Sequence, residues 1–211
     1  TNKTSTPDGF AIEVTADKKT DVKVTSVTTE AVAVPEVFKG ETDVKMLKVA
    51  VTAEGEKEST DITGFTITGT DGEAVKAHHI YATGTVDGFS ANEEFKEKYT
   101  LKRFGTYYFW VAYDIKGDAE VDQTATAQVT AITVGGETLN ITDPATATVT
   151  VKSGKHGTFT VGATDADYTT IQAAIDDIAA VGVDGPVVLN INAGEYNERV
   201  LISGIKGLGA N

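Results

Sequence analysis

Carboxylates, histidines and clustered aromatics are the groups in this chain able to do chemistry, and their spacing decides what each is fit for. Glycosidic hydrolysis takes two carboxylates poised across a cleft, one of them serving as acid. Glu195 and Glu198, within Gly194-Glu195-Tyr196-Asn197-Glu198, are the nearest pair. The motif also has a simpler reading, in which Gly194 turns the chain, Tyr196 packs inward, and the acids are solvated or hold loop amides. Exposed Asp and Glu commonly have no other role, so no catalytic residue is assigned. Asp165, Asp167, Asp176 and Asp177 suggest calcium by number, but they lack the Asp-x-Asp-x-Asp-Gly spacing that converges oxygens on one ion. Acids near a helix start that complement its dipole account for Asp165 and Asp167. His78 and His79 are adjacent, so in an extended segment their rings leave on opposite faces and cannot share a metal. His156 stands alone. Gly204-Ile205-Lys206-Gly207-Leu208-Gly209 has the glycines of a phosphate loop but no helix after it, and reads as a turn. No metal and no cofactor is expected.

The remaining candidate is aromatic. Sugars are held by stacking their C–H faces on Trp and Tyr rings while flanking polar groups take the hydroxyls. The run from Gly105 to Ile115 carries the only tryptophan of the chain and three of its tyrosines. At a period of two, Tyr107, Phe109, Val111, Tyr113 and Ile115 share one face, which is core, and Thr106, Tyr108, Trp110, Ala112 and Asp114 share the other. Trp110, Tyr108 and Asp114 are therefore the carbohydrate-binding candidates. Two arrangements are open: rings exposed to a ligand, or rings packed beneath a loop or against a second unit. The habitual burial of Trp favours the second.

Composition narrows the partners. The formal net charge of −13 argues against nucleic acid and anionic membranes. No apolar run approaches the ~20 residues of a membrane span, and the first ten residues lack the apolar stretch of a signal peptide. With no methionine at its start, the chain is expected to be a mature or trimmed product. The absence of cysteine removes disulfides, thiolate metal sites and thiol catalysis and leaves the redox compartment open.

The elements that must position these groups fall into two grammars. Residues 10–151 alternate Val, Thr, Ala and Ile between Gly, Asp and Asn turns, the pattern of an antiparallel sandwich. Strands are predicted at 11–15, 22–27, 44–52, 64–68, 79–83, 99–103, 106–115, 124–134 and 145–151. Val44 and Met46 lie on one parity and Leu47, Val49 and Val51 on the other, which predicts a bulge. Pro35 suits a strand edge, and 86–97 reads as a polar loop with one helical turn. Composition shifts at Lys152-Ser153-Gly154-Lys155-His156-Gly157, taken as a linker over 153–157. Beyond it, Ile171, Ala174, Ile175, Ile178 and Val181 predict a helix over 168–181, with Thr169 and Gln172 as a capping box and Gly182 as its stop. The runs Val187 to Ile191 and Val200 to Ile202 follow as short strands, the first of a buried parallel type.

Two resemblances overlie this reading. Residues of about 20–152 resemble the β-sandwich domain at the N-terminus of BNR-repeat neuraminidases and other secreted proteins of Bacteroidetes-type bacteria. The matching text is Gly40, Gly69-Thr70, Ile80-Tyr81-Ala82-Thr83-Gly84, and above all Tyr108, Phe109, Trp110, Tyr113 and Asp114. In that family the domain is an accessory module. Residues 157–211 resemble the first coil of a right-handed parallel β-helix of the pectin-lyase-like kind, through Asp167-Tyr168-Thr169-Thr170-Ile171-Gln172-Ala173-Ala174-Ile175 and Gly194-Glu195-Tyr196-Asn197-Glu198. There the helix caps the solenoid and the catalytic groups lie in later coils. The neuraminidase likeness stops short of activity. A sialidase needs three clamping arginines and Asp-box repeats, whereas this chain has only Arg103 and Arg199 and no such repeat.

The expectation is thus a mainly β chain: an antiparallel β-sandwich accessory domain over 1–152, a linker over 153–157, and the N-terminal cap and first coil of a β-helix-like unit over 158–211. Its role would be that of a non-catalytic spacer or carbohydrate-contacting module of a larger glycan-directed protein, secreted or at the cell surface as the resemblance implies. The alternatives are the front of a polysaccharide-acting β-helix enzyme and an adhesin-like protein-binding module. Partners would be a glycan, or a second copy through exposed C-terminal strands.

Overall fold

The computed structural model describes residues 21–32, 36–55 and 58–207. The fold is mainly β, with one short helix: β1 (Lys23–Ala31), β2 (Glu36–Val37), β3 (Val44–Glu54), β4 (Thr60–Thr68), β5 (Val75–Gly84), β6 (Tyr99–Leu101), β7 (Gly105–Ile115), β8 (Thr124–Val134), β9 (Glu137–Asn140), β10 (Thr146–Val151), β11 (Lys155–Val161), α1 (Ile171–Val181) and β12 (Val183–Ile191). The predicted strand at 11–15 and Pro35 lie outside the described residues.

Two sheets enclose one core. The first has the order β1-β3-β7-β5, all antiparallel, and the second β2-β10-β8-β4-β6, with β9 also on β8 and β2 parallel to β10. Alternation dictates what each contributes. From β7, Tyr107, Phe109, Val111, Tyr113 and Ile115 turn inward to meet Ile62, Val129, Ile132 and Val149 of the other sheet, all of them buried. Phe109 bridges the layers, its ring 5.1 Å from Phe65 of β4. Burying each such side chain contributes about 1.5–3 kcal/mol.

The parity change in β3 has a local cause. Lys45 pairs with Ala112 and Leu47 with Val111, so Met46 is the extra residue of a bulge. The bulge lets Val44, Met46 and Leu47 all reach the core despite their mixed parity. After β4 the chain turns at Gly69, whose φ of +85° suits glycine. A Cβ there would lie 1.8 Å from the Thr126 carbonyl oxygen, so no side chain fits.

The C-terminal unit differs from its expected plan in three places. Residues 155–157, taken as linker, open β11, which pairs in parallel with β12, and α1 connects the two strands. The helix starts at Ile171 with Thr170, not Thr169, as its N-cap, because it is the Thr170 hydroxyl that accepts from the Ala173 N–H, at 3.1 Å. Residues 200–202 form no strand. They run beside α1, where the Gln172 amide donates to the Leu201 carbonyl at 3.2 Å and accepts from its N–H at 2.7 Å. Gln172 is spent on this bracket, so no capping box forms. Val161, Ala174, Ile175, Ile178 and Val183 are buried in this unit, and none of them belongs to the sandwich core. No helix among the described residues is long and apolar enough to cross a membrane.

Candidate functional site

The outer face of the first sheet is where the candidate aromatics lie. Antiparallel pairing sets Tyr81 opposite Trp110 and His79 opposite Ala112, next to Asp114, so side chains of β5 and β7 alternate onto one surface. Residues 85–97 cross that surface as a strap. They form no helical turn. Instead Ala82 donates to the Glu93 carbonyl at 2.8 Å and Phe95 to the Ile80 carbonyl at 2.7 Å, so the strap adds a fragment of strand to the open edge of β5. Its Phe89 stands edge-on to Tyr81 and to Trp110, with centroids 5.4 and 6.0 Å away.

Trp110 is therefore covered. It is 8% exposed, and its indole N–H donates to the Thr83 hydroxyl at 3.3 Å, which in turn donates to the Val86 carbonyl at 2.8 Å. Lys48 sits over the ring, 5.9 Å from its centroid, and pairs with Glu30 and Asp87. Of the two arrangements left open by the sequence, the ring adopts the one beneath a loop, and it offers no open stacking platform. Tyr108, two residues away, is half-buried. Asp114 is used internally: Oδ1 accepts from the Asp43 N–H at 3.1 Å and Oδ2 contacts His79 Nε2 at 3.3 Å.

His79 ties the strap to the sheet. Its Nδ1 lies 3.5 Å from a Glu94 oxygen, its ring stacks on Tyr81, and Tyr81 donates to Asp43. Burial pulls the imidazole pKa down, but the bonds to Asp114 and Glu94 outweigh it and leave the pKa raised from 6.5. A histidine with a raised folded-state pKa lends stability that is full below its unfolded value and disappears as pH rises through the folded one. Amide protection at Ala82 and Phe95 is expected to weaken as pH climbs above about 6.5 and to lose that dependence in His79→Gln, as hydrogen exchange at several pH values would read. Equal slopes in the two proteins would refute the tie.

Two features here escape a reading of single residues. Asp43 meets Asp114 only through the turn before β3, where its φ is +53°. Thr83 and Tyr81 share parity with His79, the one signal that all three face Trp110.

In the C-terminal unit Glu198, Asp167 and Asp177 hold backbone and side-chain donors. Glu198 reaches the start of α1, accepting from the N–H groups of Ile171 at 2.9 Å and Gln172 at 2.8 Å. With Thr170 on Ala173, the first-turn donors are satisfied. Glu195 is exposed, and both acids line a cavity of about 230 Å³ beside Thr169, Gly194 and Tyr196. Tyr196 does turn inward, donating to the carbonyls of Val161 and Asn192. Asp167 takes the Thr160 N–H and hydroxyl at 2.7 and 2.9 Å, pinning β11 rather than facing the helix, and Asp177 holds Lys155 and Tyr168. His156 bonds Asp184 at 2.8 Å. Among the described residues no three His, Asp or Glu side chains are placed to hold a metal ion. Replacing Glu198 with alanine is expected to cost about 2 kcal/mol and to speed amide exchange at residues 171–173. Glu195→Ala should leave both unchanged, and equal effects of the two would refute the cap.

The class that fold and site define is coarse: a mainly β chain of antiparallel sheets, with a small parallel strand–helix–strand unit attached. No known family model matches it, and comparison with curated proteins returns no match.

Proposed function

We propose that the chain is a non-catalytic accessory module of a larger glycan-directed bacterial protein, secreted or held at the cell surface, in which the sandwich presents the helix-and-strand unit in a set direction. The observation that carries this is the junction between the units. Asp184, only 5% exposed, meets Lys39 of the sandwich at 3.9 Å and His156 of β11 at 2.8 Å, and takes the Gly154 N–H of the connection. Lys152 donates to the Val37 carbonyl at 2.8 Å. A connection bonded on both sides transmits orientation, which a spacer needs and a flexible tether lacks. Two of the acids that stood out in the sequence also support it, since Glu198 and Asp114 are engaged with backbone amides. The resemblances to a neuraminidase-associated domain and to a β-helix cap supply the glycan-directed context.

The rival reading, the front of a polysaccharide-acting β-helix enzyme, draws on the parallel pairing of β11 with β12, whose other edge carries no further strand among the described residues. Incubation with a panel of polysaccharides, read as reducing ends released, together with small-angle scattering, tests both. The accessory reading expects no release and a scattering profile fitted by one rigid body. Sustained release, or units that tumble independently, would overturn it.

A further inference from the structure

A cleft of about 420 Å³ opens beside the strap, between the end of β5 and residues 93–99, lined by Thr83, Gly84, Glu93, Phe95, Lys98 and Tyr99 among others. It lies within the range of small-ligand sites. Its chemistry is uneven. Tyr99 has its ring braced edge-on by Phe109 and Tyr107, with centroids 5.3 and 5.9 Å away, so the ring is fixed in place. Its hydroxyl lies over Gly84, where a Cβ would come within 3.0 Å of it, and it has no hydrogen-bond partner among the described residues. Its neighbours on the sandwich are bonded: Tyr81 to Asp43, Tyr107 to the Arg103 carbonyl, Tyr113 to the carbonyls of Thr68 and Thr126. A rigid phenol with a free donor, facing open space across a glycine, is built like a recognition group.

The rest of the lining says what it would recognise. Glu93 is exposed at the rim and has no ion-pair partner among the described residues, and Glu94 is committed to His79 and Lys96. Lys98, the one cation of the lining, is taken by Asp61 at 3.2 Å. The cleft therefore offers a carboxylate acceptor, a phenolic donor and aromatic carbon, and among the described residues its lining has no cation free to neutralise an anion. A ring bearing several hydroxyls matches that set, and a carboxylate or phosphate would be repelled, the more so in a chain of net charge −13. We infer that this cleft, not the covered Trp110, is a subsite for a neutral hexose of a glycan chain. This rests on the glycan-directed reading above and gives it a ligand class, one that excludes sialic and uronic acids.

The test is titration calorimetry of the whole chain with cellotetraose, mannotetraose and galactotetraose, against sialyllactose and tetragalacturonate. Tyr99→Phe keeps the ring and its packing and deletes only the hydroxyl, Glu93→Gln removes the charge at the exposed rim, and Glu195→Gln on the other unit is the control. At least one neutral tetrasaccharide is expected to bind, about five- to tenfold more weakly in each cleft variant, with the control unchanged and the acidic sugars silent. No neutral binding, equal affinity in wild type and cleft variants, or preference for an acidic sugar would each overturn the subsite. Those failures leave the accessory reading standing if the chain is rigid and releases no sugar, whereas sugar release strikes that reading itself.

Discussion

Trp110→Ala is expected to lower the stability of the sandwich by about 3–5 kcal/mol, a loss visible as an earlier denaturant midpoint. The ring is 8% exposed and sits at the centre of a second, smaller apolar cluster with Tyr81, Ala112, Phe89 and Val32. Its removal empties the space under Phe89, frees the Thr83 hydroxyl and leaves Lys48 without the ring beneath it. The strap over 85–97 should then lose protection first, because Phe89 and Thr83 are two of its fixings. A sugar-stacking role would show the opposite signature, with stability kept and glycan affinity lost. A variant as stable as wild type would refute the burial argument, and Phe89→Ala, expected to reproduce the loosened strap at smaller cost, separates loss of the cover from loss of the ring.

The same strand shows how far the sequence reaches. Strict alternation from Tyr107 to Ile115 was enough to divide core from outer face, since one face of a strand is the only place its even or odd set can go. The parity break at Met46 likewise announced its bulge. What lay beyond reach depended on tertiary partners. Nothing local says that Phe89, in a polar loop, will lie on Trp110. Glu198 could be read as an acid that holds amides, but not which ones, because its partners, the amides of Ile171 and Gln172, are 27 and 26 residues earlier in the chain. The stretch 155–157 read as linker because Lys-His-Gly has no strand propensity of its own. It becomes strand because β12 supplies a parallel partner. Tyr99 carried no signal at all, for a free hydroxyl is defined by what does not surround it.

Gly182→Ala is expected to cost about 3 kcal/mol and to fall almost wholly on the C-terminal unit and its attachment. Three demands meet at this residue. It ends α1, donating its N–H to the Ile178 carbonyl at 2.7 Å, and its own carbonyl accepts from Lys155 at 2.8 Å where β11 begins. Its backbone, at φ 82° and ψ 178°, lies in a region that is essentially glycine's alone. A Cβ would also come within 2.6 Å of the Phe38 ring, and Phe38 is 5% exposed, so the ring has little room to retreat. Pushing Phe38 outward separates Lys39 from Asp184 and loosens the junction. Acid should loosen it from the other side: burial raises the Asp184 pKa, but His156, the Gly154 N–H and Lys39 together hold it below 3.8. A depressed carboxylate stabilises above its unfolded pKa and stops doing so as pH falls through the folded one. Calorimetry of the variant is expected to split one transition into two, with the sandwich melting unchanged, and proteolysis at residues 152–154 should accelerate. Gly117→Ala, at a glycine with nothing within 4 Å of its added carbon, should do neither. A single unchanged transition in Gly182→Ala would mean that the two units are not coupled through Phe38, leaving Asp184 with Lys39 and Lys152 with Val37 as the bonds across the junction.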